Sequence, residues 1–158
     1  MKTLVLLRHA HRDTSNGREH DNGLSEKGKK QRKRLTKYFE KKFPKSKPAL
    51  FSSPFKRCVQ TLDLISDDTK TEIQIHADLV EFEADEKPGQ FKVRVKKALS
   101  EILKSKADVI ALCSHGDWIP MATLVLSGTQ IELDKGGWIE YEVDGTQASL
   151  RYVIQEIE

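Results

Sequence analysis

A short apolar run, Thr3-Leu4-Val5-Leu6-Leu7, ends abruptly in Arg8-His9-Ala10-His11. Consecutive apolar residues suit a strand covered on both faces, as in a parallel sheet. Such a strand must lie between two layers of helices, and that requirement excludes most other folds. Stopping near Leu7, it leaves Arg8 and His9 at its carboxyl end, where open α/β sheets place their ligands.

The remaining chain fits this frame. Ala49-Leu50-Phe51-Ser52 and Asp108 to Cys113 are two further buried-type strands, and Thr71 to His76 alternates like another. Helical spacing relates Leu35, Tyr38, Phe39 and Phe43 behind the cap residue Ser25. It also relates Phe55, Cys58, Val59, Leu62 and Ile65, with Ser53 read as cap and Pro54 as first helical residue. Pro88-Gly89 opens a helix bearing Phe91, Val95, Leu99, Ile102 and Leu103, and an apolar helix runs from about Asp117 to Leu126 before Gly128. Gly137 to Val143 and Ser149 to Ile154 read as a hairpin around Asp144-Gly145. Strands alternate with helices until that hairpin. The expected class is therefore α/β, a three-layer sandwich with a mainly parallel central sheet, helices on both faces and a C-terminal β-hairpin.

With 158 residues, one domain is expected over 1–158. Charged residues make up 32% and apolar ones 37%, a balance that suits a globular chain. The net charge of +3 comes from interspersed charges, which argues against a nucleic-acid partner. The seven lysines between Lys27 and Lys42 fall mostly on the polar face of their helix and read as solvated. Cys58 and Cys113 cannot make a disulfide framework. No signal-peptide pattern precedes the first strand, and no apolar stretch reaches the ~20 residues of a membrane-spanning helix. A cytoplasmic protein without a membrane partner is expected, its oligomeric state open.

Three strand ends carry chemistry. Arg8-His9 follows the first, Arg57 lies just beyond the second and His115 follows a third. The arginines can grip a phosphoryl group through bidentate charge-assisted hydrogen bonds. The histidines can supply a nucleophile and a further donor, and the helix after His115-Gly116 favours an anion at its N-terminus. Arg57 is expected beside the end of the first strand if those strands are neighbours. The polar loop from Arg12 to Gly23 offers Arg12, Arg18 and His20 as walls of an anion site.

These residues carry a resemblance. Arg8-His9-Ala10 resembles the R-H-G signature of the histidine phosphatase (phosphoglycerate mutase-like) superfamily. Leu24-Ser25-Glu26-Lys27-Gly28-Lys29-Lys30-Gln31 is similar to its L-(S/T)-x-x-G-x-x-Q segment. Ser52-Ser53-Pro54-Phe55-Lys56-Arg57-Cys58-Val59-Gln60-Thr61 is similar to its S-S-P-x-x-R-x-x-Q-T, and Ser114-His115-Gly116 matches its S-H-G. The resemblance implies that His9 is a nucleophile forming a phosphohistidine, and that Arg8, Arg57 and His115 hold the phosphate. No metal or other cofactor is then required. A general acid is expected at Glu81, two residues after Leu79, with Glu83 as its rival. A carboxyl acting as acid needs a raised pKa, to which Asp85 and Glu86 contribute if near. Asn16, Gly116, His11 and Arg18 are candidate substrate contacts. His11 stands where the family often has an acid, and Ala10 where it usually has Gly.

The small size resembles the short bacterial phosphatases that act on phosphohistidine proteins, and a phosphorylated small molecule fits equally. Alternatives are a non-catalytic phospho-ligand module, a mutase-type phosphotransferase, and a metal-dependent hydrolase using His9, His11, His115 and Asp117. Gly23 to Lys30 approximates a P-loop but has Lys30 where the Mg²⁺-holding hydroxyl belongs. Cysteine phosphatase chemistry needs an arginine six residues after the cysteine, where Leu64 and Ile119 stand instead.

Overall fold

The computed structural model describes residues 1–158. Its strands are β1 (Lys2–Arg8), β2 (Ala49–Ser52), β3 (Ile73–Ile75), β4 (Val109–Ser114), β5 (Trp138–Asp144) and β6 (Gln147–Ile154). Its α-helices are α1 (Glu26–Lys42), α2 (Lys56–Thr69), α3 (Pro88–Ile102) and α4 (Trp118–Ser127), and Ala77–Leu79 forms a 3₁₀ turn. One sheet has the order β3-β2-β4-β1-β5-β6. Strands β3, β2, β4 and β1 run parallel, while β5 and β6 add an antiparallel hairpin. The expected class is observed. No helix is long and apolar enough to cross a membrane.

The strand pattern has a direct cause. Leu4 and Leu6 of β1, with Ile110 and Leu112 of β4, pack against α3 and α4 through Phe91, Val95, Leu99, Trp118 and Ile119. Val5 and Leu7, with Ala111 and Cys113, point the other way onto Leu35 and Phe39 of α1 and Cys58, Leu62 and Ile65 of α2. Both faces are covered, so apolar residues stand at every position instead of alternating with polar ones. Each fully buried leucine contributes about 2 kcal/mol.

The order departs from expectation at one place. β2 is not beside β1, because β4 pairs with both. The carboxyl ends of β1, β4 and β2 still lie on one edge of the sheet. His115, following β4, is thereby placed between the contributions of the other two.

Ser25 caps α1 as expected, its hydroxyl accepting from the Gly28 amide. Gly28 is required there, since a Cβ would lie 2.0 Å from the His11 carbonyl oxygen. The start of α2 differs. The helix begins at Lys56 behind Phe55, not at Pro54; the Ser53 hydroxyl meets His115 at 2.8 Å and accepts from the Phe55 amide at 3.4 Å.

A buried polar cluster fastens the hairpin to α1. The Glu140 carboxylate accepts from Tyr152 Oη at 2.8 Å and from Trp138 Nε1 at 3.3 Å, and pairs with Lys42 at 3.1 Å. Tyr38 meets the Tyr152 hydroxyl at 3.1 Å. Burial, then the Tyr38 and Glu140 contacts, raise the Tyr152 phenol above its ordinary pKa. Glu140→Ala strands three donors, so it is expected to cost about 3 kcal/mol. Thermal denaturation should show a Tm lower by roughly 10 °C.

Candidate active site

The turn after β1 is held by hydrogen bonds from every side. The His9 amide donates to the Ser114 carbonyl at 3.1 Å, and the Gly136 amide donates to the carbonyls of Arg8 and His9 at 3.2 and 3.1 Å. The Ala10 amide donates to Thr61 Oγ1 at 3.0 Å. Ala10 is not among the residues with positive φ, so its methyl group introduces no strain there, and it is fully buried. The glutamines of the two helical motif segments act on loops. Gln31 Oε1 accepts from the His11 amide and Gln60 Oε1 from the Leu24 amide, both at 2.8 Å. Those motif positions therefore fix the loops and do not touch the reacting centre.

His9 Nδ1 lies 2.8 Å from the Ala10 carbonyl oxygen. A carbonyl only accepts, so Nδ1 carries the proton and Nε2 keeps its lone pair. Burial is the main cause that lowers the His9 pKa, to about 3, with His115, Arg57 and Arg8 adding repulsion against the Ala10 bond. The ring is neutral at any pH near 7.

His115 is the opposite case. It is buried and its ring centroid lies 5.5 Å from that of His9. Nε2 meets Ser53 Oγ at 2.8 Å and Nδ1 meets Glu81 Oε1 at 3.1 Å. Burial opposes its charge most strongly, but hydrogen bonds to Cys58 and Glu81 outweigh it and leave the pKa raised to about 9. The two neighbouring imidazoles are thus pushed in opposite directions, His9 toward the neutral form and His115 toward the charged one.

Arg57, only 4% exposed, donates through Nη2 to Glu81 and through Nη1 to Asp21 at 3.5 Å. Its guanidinium stacks 4.6 Å from the Phe55 ring centroid, and its Nε is buried without a partner. Arg8 donates to the Leu133 carbonyl at 2.9 Å. Its guanidinium lies over Gly116, where a Cβ would approach Cζ to 2.7 Å, so a side chain there would displace the guanidinium.

Glu81 sits between Arg57 and His115. The His115 hydrogen bond is the main cause holding its pKa down at about 2, opposed by burial and reinforced by Arg57. This reverses the environment expected for a carboxyl acid. Glu86 does not raise Glu81, because Arg94 engages it through Nε and Nη2 at 2.8 Å. Glu83 does not share the cavity that His9 lines; it lines an adjoining one, which Arg57 and Glu81 also face.

Arg94 was not singled out by the sequence. Its guanidinium also donates to the carbonyls of Asp78 and Val80 at 2.8 Å and of Glu81 at 2.9 Å. All five N–H groups of the side chain are thereby used to shape the segment that carries Glu81. Ser114 Oγ donates to the Leu79 carbonyl at 2.6 Å, and Asp117 accepts from the Phe82 amide at 2.9 Å. Asp21, equally unmarked in the sequence, supports Arg57 and accepts from the Lys56 amide at 2.5 Å.

A cavity of about 620 Å³ opens on this cluster, lined by Arg8, His9, Arg57, Glu81 and Gly116. Arg12 and Arg18 also reach it. His11 does not. Its Nδ1 meets Ser25 Oγ at 2.7 Å and it lines a separate cleft with Lys27 and Gln31. Asn16 is exposed in the loop and lines none of these cavities. The donor atoms of His9, His11, His115 and Asp117 do not converge as metal ligands. The triad of such donors within 4.8 Å is His76, Asp78 and Glu101. There His76 Nδ1 accepts from the Asp78 amide at 3.2 Å, which leaves Nε2 protonated toward Glu101.

Raising the pH through about 9 removes the His115 charge from the site. Loss of kcat/KM on the alkaline side is therefore expected near that value, with no limb from His9 between pH 5 and 8. Because Glu81 helps to raise His115, Glu81→Gln should move the alkaline limb to lower pH. A pH–rate profile of the two proteins checks both statements.

The same architecture occurs in solved structures of low sequence identity. An Escherichia coli protein assigned as an alpha-ribazole-5'-P phosphatase superposes with TM-score 0.81 at 17% identity, covering 99% of this chain and 98% of that one. A mutant phosphoserine phosphatase of Entamoeba histolytica, in complex with phosphoserine, gives 0.76 at 15%, covering 98% and 97%. A mycobacterial glucosyl-3-phosphoglycerate phosphatase gives 0.77 at 16%, covering 96% and 98%. No curated protein matches the sequence. The family model of the histidine phosphatase superfamily (branch 1) matches residues 4–89, more than half of the chain and the part that holds Arg8, His9, Arg57 and Glu81. By that match and by its fold, the chain belongs to the histidine phosphatase superfamily.

Proposed function

We propose that the chain is a phosphatase that hydrolyses a phosphomonoester or a protein phosphohistidine through a covalent phosphohistidine on His9. The observation that carries this reading is geometric: the Nδ1 contact to Ala10 leaves the His9 Nε2 lone pair free, with the His9 and His115 ring centroids 5.5 Å apart, beside a cavity that Arg8 and Arg57 also line. Phosphoryl transfer asks mainly for positioning and for charge stabilisation on the equatorial oxygens. Arg8, Arg57 and His115 supply that charge.

In the first step His9 Nε2 bonds to phosphorus, the bond to the leaving oxygen breaks, and Glu81 gives that oxygen a proton. In the second, water attacks the phosphohistidine, Glu81 takes the water's proton and phosphate departs. Splitting one displacement into two lowers each barrier. Glu81 begins ionised, bonded to Arg57 and His115. An incoming phosphoryl group takes over those donors and adds its own negative charge, and both changes raise the carboxyl pKa. A phosphomonoester that arrives as its monoanion brings the proton that Glu81 passes to the leaving oxygen.

The fold relatives named for phosphoserine and glucosyl-3-phosphoglycerate support a small phosphate ester as substrate. A non-catalytic phospho-ligand module is favoured by one observation, the Glu81 carboxylate already lying on Arg57 and His115. p-Nitrophenyl phosphate separates the two, since its leaving group needs little help from an acid. Turnover that survives a chelator supports the phosphatase. Tight binding of inorganic phosphate with no turnover supports the module.

A further inference from the structure

The phosphoryl site uses Arg8, Arg57 and His115, but three more cations line the same cavity: Arg12, Arg18 and Lys135. None of these three makes an ion pair. Asp21 is engaged by Arg57 and Asp117 by the Phe82 amide, while Glu19 is exposed and lines an adjoining cavity with Arg12 and Arg18. Glu132 also lines the cavity, and it pairs with none of the three. Only one of the lining residues is hydrophobic.

Arg12 is held by its side chain and Lys135 by its backbone, while the Arg18 side chain is exposed. Arg12 Nη2 donates to the carbonyls of Arg18 and His20 at 2.7 and 2.8 Å, and its Nε is buried without a partner. Lys135 precedes Gly136, whose amide is fastened to the carbonyls of Arg8 and His9, and its own carbonyl lies 3.3 Å from Gln31 Nε2. Partial burial, then Arg8, Arg18, Arg12 and Lys27, lower the Lys135 pKa. Three cations thus line one cavity without an ion pair, and Glu132 is the acid there with no partner of its own. Clamping the loop accounts for Arg12 alone. It does not explain why Arg18 and Lys135 face the same space.

We propose that Arg12, Arg18 and Lys135 form a second anion subsite, so that the substrate is a compact phosphomonoester bearing a second phosphate or carboxylate on its leaving group. This rests on the phosphatase reading and narrows it. The cavity volume of about 620 Å³ lies in the usual range for small-molecule sites. With Arg8 and Arg57 occupied by the transferred group, the remaining cations are the ones placed to bind charge on the departing part. Such a lining also selects: an ester with a neutral leaving group leaves the repulsion among the three cations unrelieved.

Two matched pairs of esters test this: glycerol 3-phosphate against 3-phosphoglycerate, and fructose 6-phosphate against fructose 1,6-bisphosphate. The doubly anionic member of at least one pair is expected to have a kcat/KM at least about 10-fold higher, with the ratio shrinking as salt is added. Which pair responds tells carboxylate from phosphate. In the double variant Arg18→Gln, Lys135→Gln the ratio should fall to within about twofold of unity, whatever the absolute rate. Ratios near one in the wild type, with p-nitrophenyl phosphate still hydrolysed, overturn the subsite and leave the phosphatase standing. A phosphohistidine carrier protein preferred over every small ester, with flat ratios among them, overturns it too. Should nothing be hydrolysed, the phosphatase reading falls, and calorimetric titration of the same pairs decides the subsite: tighter binding of a doubly anionic member supports it, and equal binding overturns it.

Discussion

Replacing His9 with alanine is expected to lower kcat/KM for p-nitrophenyl phosphate by at least about 10⁴-fold, because removing the nucleophile of a two-step transfer removes the reaction path itself. The change should be selective. His9 bonds through its side chain only to the neighbouring Ala10 carbonyl, so its loss breaks no link between elements. The turn remains fixed by the bonds to Ser114, Gly136 and Thr61. Arg8, Arg57 and His115 keep their partners, and the variant should still bind inorganic phosphate. A folded His9→Ala protein that binds phosphate but does not turn over is the expected result, read by steady-state kinetics beside calorimetry. Activity within tenfold of wild type would remove His9 from the reaction.

Glu81→Gln is expected to divide substrates by their leaving group. An alkyl phosphate needs a proton on the departing oxygen, so its kcat/KM should fall by about 10²- to 10³-fold. p-Nitrophenolate leaves without one, so its ester should lose less than about tenfold. A second consequence follows from the resting geometry. Glu81 competes with phosphate for Arg57 and His115, so removing its charge should tighten product inhibition by inorganic phosphate. Arg94→Lys should show the same division by leaving group, to a smaller degree. A lysine cannot reach three carbonyls and the Glu86 carboxylate at once, and the segment carrying Glu81 would loosen. Equal losses for both ester types in Glu81→Gln would mean that the carboxylate only shapes the pocket.

What could be read from the sequence follows a physical boundary. Runs such as Leu4 to Leu7 and Val109 to Cys113 announce themselves because a strand buried on both faces needs apolar residues throughout. The Ser25 cap was legible because it is a local contact. Ser53 keeps only a long local contact to the Phe55 amide, and its short one goes to His115, 62 residues away, which no local rule records. The insertion of β4 between β1 and β2 was equally hidden, because strand order is decided by which layers cover which faces and no local signal records it. The environment of Glu81 has the opposite sign from the one its sequence neighbours imply, for the same reason. Its acidic neighbours in sequence suggested repulsion, whereas in space Arg94 takes Glu86 and the carboxylate faces Arg57 and His115. Arg94, Asp21 and Lys135 carry no motif at all. Their roles come from backbone carbonyls and side chains that only the fold brings near.

The reaction intermediate tests the central claim most directly. A rapid mix of the protein with a phosphomonoester, quenched in alkali and mapped by mass spectrometry, should place an acid-labile phosphoryl group on the His9 ring, and the adduct should be absent from His9→Ala. A phosphoryl group on any other residue, or an adduct that persists once the residue 9 imidazole is gone, would contradict it.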